Sequence, residues 1–342
     1  MPELNKKTVI DLSKNGSRLF RSGQYEEAKE VYLKALEIDE GNTYVLSGLG
    51  DVYRKLCRFE ESGKYYDAVL NIDKDNVFAL RGAGDARRGM KNPEQAIPFW
   101  LRYLEINSDD SHVMVRVADA FHKMEMHVDA IDMYEQALAI SSDDVFALLG
   151  LGNLYYASNQ DDRALMCFER LLKANSHNVV VMTMTGNLYR RRMEFDRAIE
   201  NYRNALEIEP DNSFALFGMG DCFRGHKDMA QAIFWWGKIL QQEPNNQALR
   251  SRVGDAQVLL GRLDDAIESF NRCLDLGDDI FALIGLAHVE RERGDFQAAI
   301  VFCEKALKIE SNHPRVLNEL AAMQEAAGDH DAAQATRQLL DR

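Results

Sequence analysis

FALRGAGDARR (78–88) returns as FALLGLGNLYY (146–156), FALFGMGDCFR (214–224) and FALIGLAHVER (281–291), with a looser copy, YVLSGLGDVYR, at 44–54. Met alone, Gly82 and Gly84 look like the start of a phosphate-cradling loop. Such a loop needs a preceding parallel strand and a strand-to-helix turn, and is normally built once per domain. Here the stretch recurs along the whole chain, and its apolar residues return every three or four positions, the period of a helix. The chain is therefore read as a repeat array, and the nucleotide site is rejected.

Aligned on these glycines, units begin near residues 9, 43, 77, 111, 145, 179, 213, 247, 280 and 314. Each is 34 residues long except the unit from Gln247, one residue short at DLGDD (275–279), and the truncated last one. Residues 1–8 are expected as an N-terminal tail and residues 9–342 as one solenoid domain. Two amphipathic segments alternate with two polar turns in each unit, as in SFALFGMGDCFRGH (213–226), KD (227–228), MAQAIFWWGKILQQ (229–242) and EPNN (243–246). That pattern predicts a helical hairpin. In KNPEQA (91–96), Asn92 suits an N-cap and Pro93 the first helical position. A lone hairpin leaves its apolar face wet, so neighbours must stack.

Counting positions within the unit, position 8 is Gly or Ala (Gly16, Gly50, Gly84, Ala118, Gly152, Gly186, Gly220, Gly254, Ala287). Position 20 is Ala, as in Ala28, Ala96 and Ala198, with Ser62 the exception, and position 24 is mostly aromatic, as in Tyr32, Tyr66, Trp100, Tyr134, Phe168, Tyr202, Trp236 and Phe270. This register closely resembles the tetratricopeptide repeat family along essentially the whole chain. The resemblance implies an all-α, right-handed superhelical solenoid of nine to ten helix-turn-helix repeats. Small residues at 8 and 20 let two helices approach, and the aromatic at 24 fills the gap toward the next hairpin. Gln324 and Arg337 break the pattern in the last unit, which reads as a polar cap. A longer period lies beneath the repeat: position 6 is Gly at Gly48, Gly82, Gly150, Gly218 and Gly285 but Arg116, Met184 and Arg252 in units 4, 6 and 8. A helix-interior glycine costs roughly 0.5–1 kcal/mol against alanine. Gly82 is expected either to make room for an aromatic such as Phe78 or to bare the floor of a groove.

The formal net charge of −14 argues against a general partner among nucleic acids or anionic membranes. The sequence lacks an apolar run of membrane-spanning length and a signal-peptide core. Five cysteines without CxxC spacing suit thiols in a reducing compartment. The expected location is cytoplasmic, with a periplasmic or secreted mature chain as the alternative.

Eight histidines form neither HExxH nor a zinc spacing, and no catalytic motif occurs, so neither an enzyme nor a cofactor is expected. By resemblance, positions 2, 5, 9 and 12 of the first helix face a concave groove. Position 9 is a polar ladder of Asp51, Asp85, Asp119, Asn153, Asn187, Asp221 and Asp255, ending in His288; Arg54, Arg88, Arg190 and Arg224 stand at position 12, and Arg81 at position 5 of its unit. One expectation is local Asp–Arg pairing three residues apart, contributing roughly 0.2–0.5 kcal/mol per pair. The other is a peptide-binding groove in which Asn153 and Asn187 bond a partner's backbone and the arginines select carboxylates. Phe78, Phe146, Phe214 and Phe281 at position 2 are either core residues, the favoured assignment, or apolar anchors for the partner. Family members that clamp a chaperone C-terminus pair Lys at position 5 with Asn at position 9; Leu149 and Thr183 stand there instead, so that role is disfavoured. The function expected is a protein- or peptide-binding scaffold or adaptor. Alternatives are a self-associating structural or assembly protein and a regulatory repeat module of a larger enzyme system.

Overall fold

A computed structural model describes residues 3–174 and 177–340, all of whose regular structure is α-helical. The chain forms two compact units, Met1–Asn175 and Ser176–Arg342. In the first, hairpins are made by α1 (Glu3–Arg21) with α2 (Tyr25–Ile38), α3 (Thr43–Lys55) with α4 (Phe59–Ile72), α5 (Val77–Gly89) with α6 (Pro93–Ile106), α7 (Ser111–Lys123) with α8 (His127–Ile140), and α9 (Val145–Ala157) with α10 (Asp161–Ala174). In the second they are α11 (Val179–Arg191) with α12 (Phe195–Ile208), α13 (Ser213–Gly225) with α14 (Met229–Gln242), α15 (Gln247–Leu259) with α16 (Leu263–Leu276), α17 (Ile280–Arg293) with α18 (Phe296–Ile309), and α19 (Pro314–Ala326) with α20 (His330–Leu340). Within each unit successive hairpins stack, as α4 does on α5 and α12 on α13.

Local chemistry explains the helix ends. Asn42, Asn76, Asn178, Asn212 and Asn246 each cap a first helix, the side-chain oxygen accepting from a backbone N–H three residues on. Asn92 does the same for α6, whose first residue is Pro93, as the sequence predicts. The turn inside each hairpin passes through the left-handed region at position 15: Gly23, Gly261, Gly294 and Gly328 take it without a Cβ penalty, while Cys57, Lys91, Glu125, Asn159, Met193 and Lys227 adopt the same positive φ. Residues 3–8, expected as part of a tail, are the first turns of α1 instead; Thr8 Oγ1 donates to the Leu4 carbonyl at 2.9 Å in the same helix.

The core follows the small-and-large register. Ala28, Ala96 and Ala198 are fully buried, and the exception Ser62 satisfies its hydroxyl by donating to the Gly50 carbonyl at 2.8 Å. Where position 8 is glycine, the position-24 aromatic of the same hairpin sits over it; a Cβ on Gly84 would lie 2.4 Å from Trp100 Nε1, and one on Gly220 2.2 Å from Trp236 Nε1. Five of these rings also press on the next hairpin's position-6 glycine. A Cβ there would meet Tyr32 from Gly48, Tyr66 from Gly82, Tyr134 from Gly150, Tyr202 from Gly218 and Phe270 from Gly285, all at 2.6 Å or less. Position-6 glycine therefore makes room for the preceding hairpin's ring, which in the case of Gly82 is Tyr66 and not Phe78.

Candidate functional site

Positions 2, 9 and 12 fall on one face of the first helix because residues seven apart lie nearly two full turns along it. The position-2 row is exposed. Phe78, Phe146, Phe214 and Phe281 have 67, 69, 75 and 54% of their surface open, and Tyr44 and Val180 continue the row. The favoured core assignment for these phenylalanines is thus corrected: the core side of each first helix is filled by positions 3 and 4, such as Ala79 with Leu80 and Ala215 with Leu216, which points position 2 away from it.

The polar ladder divides according to the ring at position 24. Where that ring is tyrosine, its hydroxyl bonds position 9 of the same hairpin: Tyr66 donates to Asp51 Oδ1 at 2.8 Å, Tyr202 to Asn187 Oδ1 at 2.8 Å, and Tyr134 to Asp119. Burial pushes these three hydroxyls well above the ordinary phenol range, and for Tyr66 and Tyr134 the adjacent carboxylate adds to the effect. The Asn187 oxygen expected to meet a partner's backbone is therefore occupied within the hairpin. Asn153 Oδ1 is buried without a hydrogen-bond partner among the described residues.

Where the ring is tryptophan, position 9 is an aspartate held by arginines from three successive repeats. Asp85, nearly buried, meets Arg116 at 2.8 Å, Arg54 at 3.7 Å and Arg88 at 3.9 Å. Asp221 meets Arg190 at 2.9 Å, Arg252 at 3.2 Å and Arg224 at 3.6 Å in the same arrangement. The expected local pair is close only for Arg54 with Asp51, at 2.9 Å. The short contacts of Asp85 and Asp221 cross repeat boundaries, because an arginine on the neighbouring first helix can bring its fork straight to the carboxylate. Arg81 points elsewhere, with its guanidinium 6.0 Å from the Tyr103 ring centroid. Arg116 and Arg252 were missed by sequence reasoning; the signal was their position, the repeat register that elsewhere carries glycine.

Clefts open along this face in each unit. In the first, a cleft of about 360 Å³ is lined by Ser17, Tyr44, Ser47, Asp51 and Phe78, among others. In the second, one of about 810 Å³ is lined by Arg224, Arg252, Asp255, Phe281 and Arg315, among others. Asp255 has solvent contact there, yet the surrounding walls displace enough water to hold its carboxyl above the ordinary range, opposed by His288, Arg315 and Arg252.

Family profiles described as TPR repeat or tetratricopeptide repeat match residues 16–57, 44–76, 121–180, 183–241, 249–276 and 290–341. The chain belongs to the tetratricopeptide repeat family. Solved structures similar to this tetratricopeptide repeat protein include Pseudomonas aeruginosa pilF, at 18% identity over 62% of this chain and 97% of that one, with a TM-score of 0.52. YrrB, described as a TPR protein with an unusual peptide-binding site, is 19% identical over 55% of this chain and 97% of its own, with a TM-score of 0.49. Yeast Tom70 is 14% identical over 98% of this chain and 92% of its own, with a TM-score of 0.42. No match was found among curated proteins. The likeness to pilF shows a shared all-α repeat fold. Repeats of this family form protein-interaction scaffolds, and none of the described helices is long and apolar enough to cross a membrane.

Proposed function

We propose that this tetratricopeptide repeat protein is a non-catalytic scaffold that holds an extended segment of a partner protein along the first-helix face of its repeats. The observation that carries the reading is the exposed position-2 row. Large apolar side chains left open at a regular interval on rigid helices are costly in water unless something covers them. First helices of adjacent repeats pack about 8–10 Å apart, so Phe78 and Phe146, two repeats apart, would meet side chains roughly six residues apart on a strand rising about 3.3 Å per residue. The arginines and aspartates of positions 6, 9 and 12 lie beside that row and would supply polar register. The four buried, unpaired thiols support a reducing compartment, in keeping with a cytoplasmic adaptor.

Selection of a random peptide library on the whole chain tests this. Selected peptides should bind the Phe78→Ala/Phe146→Ala or the Phe214→Ala/Phe281→Ala variant at least ~tenfold more weakly, a loss of about 1.4 kcal/mol or more. The melting temperature of each variant should stay near that of the parent, since the removed rings are exposed. Undiminished binding to both variants would exclude the first-helix face.

A further inference from the structure

The second helix α14 departs from the others in two ways. Its sequence, MAQAIFWWGKILQQ (229–242), contains neither Asp nor Glu, whereas every other second helix carries at least one. It also holds Gly237, the one helix-interior glycine among the described residues at which a Cβ would meet nothing within 4 Å; the rest each lie against a side chain of their own chain. Gly237 therefore costs helix stability without relieving any crowding inside the protein. One turn before it stands Phe234, 53% open to solvent. Trp235 meets that ring edge-on at a centroid distance of 5.2 Å, and the Lys238 ammonium lies 5.1 Å from its centroid. A bulky apolar side chain thus stands ordered on the surface beside an empty place on the same helix.

We infer that α14 is a face for a second copy of this chain, the two α14 helices packing antiparallel about a twofold axis with each Phe234 seated on the other copy's Gly237. Residues 230, 234, 237 and 241 recur at steps of four, three and four, so they share one stripe of the helix. Ala230, Phe234 and Gln241 on that stripe are exposed, and Gly237 is half-buried. Reversing the stripe about its midpoint sets Phe234 against Gly237 and Ala230 against Gln241, so a large side chain meets a small one in every layer. A twofold contact requires a surface that fits itself in this way, and glycine lets the two backbones draw close. A partner of another sequence would need only the projection or only the recess, whereas α14 carries both. Charge points the same way. Copies of net charge −14 repel each other, least where the facing surfaces carry no carboxylate. One helix face is small beside the roughly 800 Å² per partner of a standard interface, so the pair forms and parts with concentration. It leaves the first-helix face of both copies open, and so presents two such faces to a partner bearing two segments.

Sedimentation of the whole chain over a range of concentrations tests this. The parent should pass from one-chain to two-chain mass and go no further. Phe234→Ala removes the projection and Gly237→Leu fills the recess; each should raise the concentration of half-association about tenfold or more. Phe78→Ala/Phe146→Ala, on the first-helix face, should associate as the parent does, and circular dichroism checks that all three variants remain folded. Geometry is read with a short bifunctional maleimide on chains in which Cys57→Asn removes the exposed thiol. An equal mixture of Ala230→Cys and Gln241→Cys chains should cross-link. Ala230→Cys alone should not, because the two copies of residue 230 would stand eleven residues, about 16 Å, apart along the paired helices. The inference is overturned if the chain keeps one-chain mass at every concentration or grows beyond two chains. It is equally overturned if neither α14 variant weakens association, if the first-helix variant weakens it as much, or if the mixture cross-links no better than Ala230→Cys alone.

Discussion

Replacing Gly82 by Ala is a direct test of how the stack is held together. Alanine is the better helix former by about 1 kcal/mol, and on an exposed helix surface the change would stabilise. Here the new Cβ would lie 2.3, 2.5 and 2.7 Å from Cζ, Cε1 and Cε2 of Tyr66, where carbon atoms normally stay about 3.5–4.0 Å apart. The ring is almost wholly buried and its hydroxyl is tied to Asp51 at 2.8 Å, so it cannot swing aside freely. Overpacking of this kind costs about 1–3 kcal/mol, and loss or lengthening of a hydrogen bond to a charged acceptor adds up to about 1.5–3 kcal/mol. Set against the helix gain, the net is a destabilisation of about 2 kcal/mol, or a melting temperature lower by about 4–8 °C for a unit of this size. Gly237 supplies the opposite case, because a Cβ there meets nothing within 4 Å in the interior of α14. Gly237→Ala should stabilise by up to about 1 kcal/mol. Thermal and urea unfolding followed by far-UV circular dichroism read both, and a Tyr66→Val background should remove most of the penalty of Gly82→Ala. If Gly82→Ala raised the midpoint as Gly237→Ala does, the ring-on-glycine account of the stack would be wrong.

Two further outcomes follow from buried titratable groups. Burial pushes the thiols of Cys167, Cys222 and Cys303 up to about 11, about 12 and about 12, and raises Cys273 as well. Cys57 instead lies exposed in a hairpin turn, so a disulfide reagent at neutral pH should label Cys57 promptly and the other four only on unfolding; prompt labelling of a second thiol would contradict the burial. The hydroxyls of Tyr66, Tyr134 and Tyr202 are raised by burial above their unfolded value, so the stability linked to them is complete below about pH 10 and is lost as pH rises through the raised values. Melting temperatures measured from neutral to strongly alkaline pH should fall only above that point, and a decline beginning near neutrality would assign the linkage to other groups.

The hairpins, their caps and the identity of the packing positions were legible in the sequence because each is written many times in the same register. Asn92, Pro93, Gly84 and Ala198 could be placed from one helix and its turn. What stayed hidden depends on the neighbouring repeat. Phe78 lies on the same helix face as Asp85, but periodicity alone does not tell which face a neighbour covers, and its apolar character argued for the wrong side. Arg116 reaches Asp85 across 31 positions, and Arg252 reaches Asp221 across the same separation, whereas the rule applied to the sequence considers partners three or four residues away. Gly82 was a puzzle for the same reason: its explanation, Tyr66, belongs to the previous hairpin.

The residue at position 24 does more than fill the core. A tyrosine there carries a donor that reaches position 9 of its own hairpin, so Asp51, Asp119 and Asn187 each accept an internal bond. The indole nitrogens of Trp100 and Trp236 lie against Gly84 and Gly220 instead and bond nothing among the described residues. Asp85 and Asp221 are then left to be satisfied from the open side, and arginines at positions 6 and 12 of adjacent repeats do so. Arginine at position 6 in turn requires that the preceding ring not press on that position as Tyr66 presses on Gly82. A tyrosine thus goes with glycine and a position-9 group bound within its hairpin, and a tryptophan with arginine and a charged face. The alternation of the core is in this way transmitted to the surface that a partner would read, which makes core substitutions at Trp100 and Trp236 a route to changing binding without touching an exposed residue.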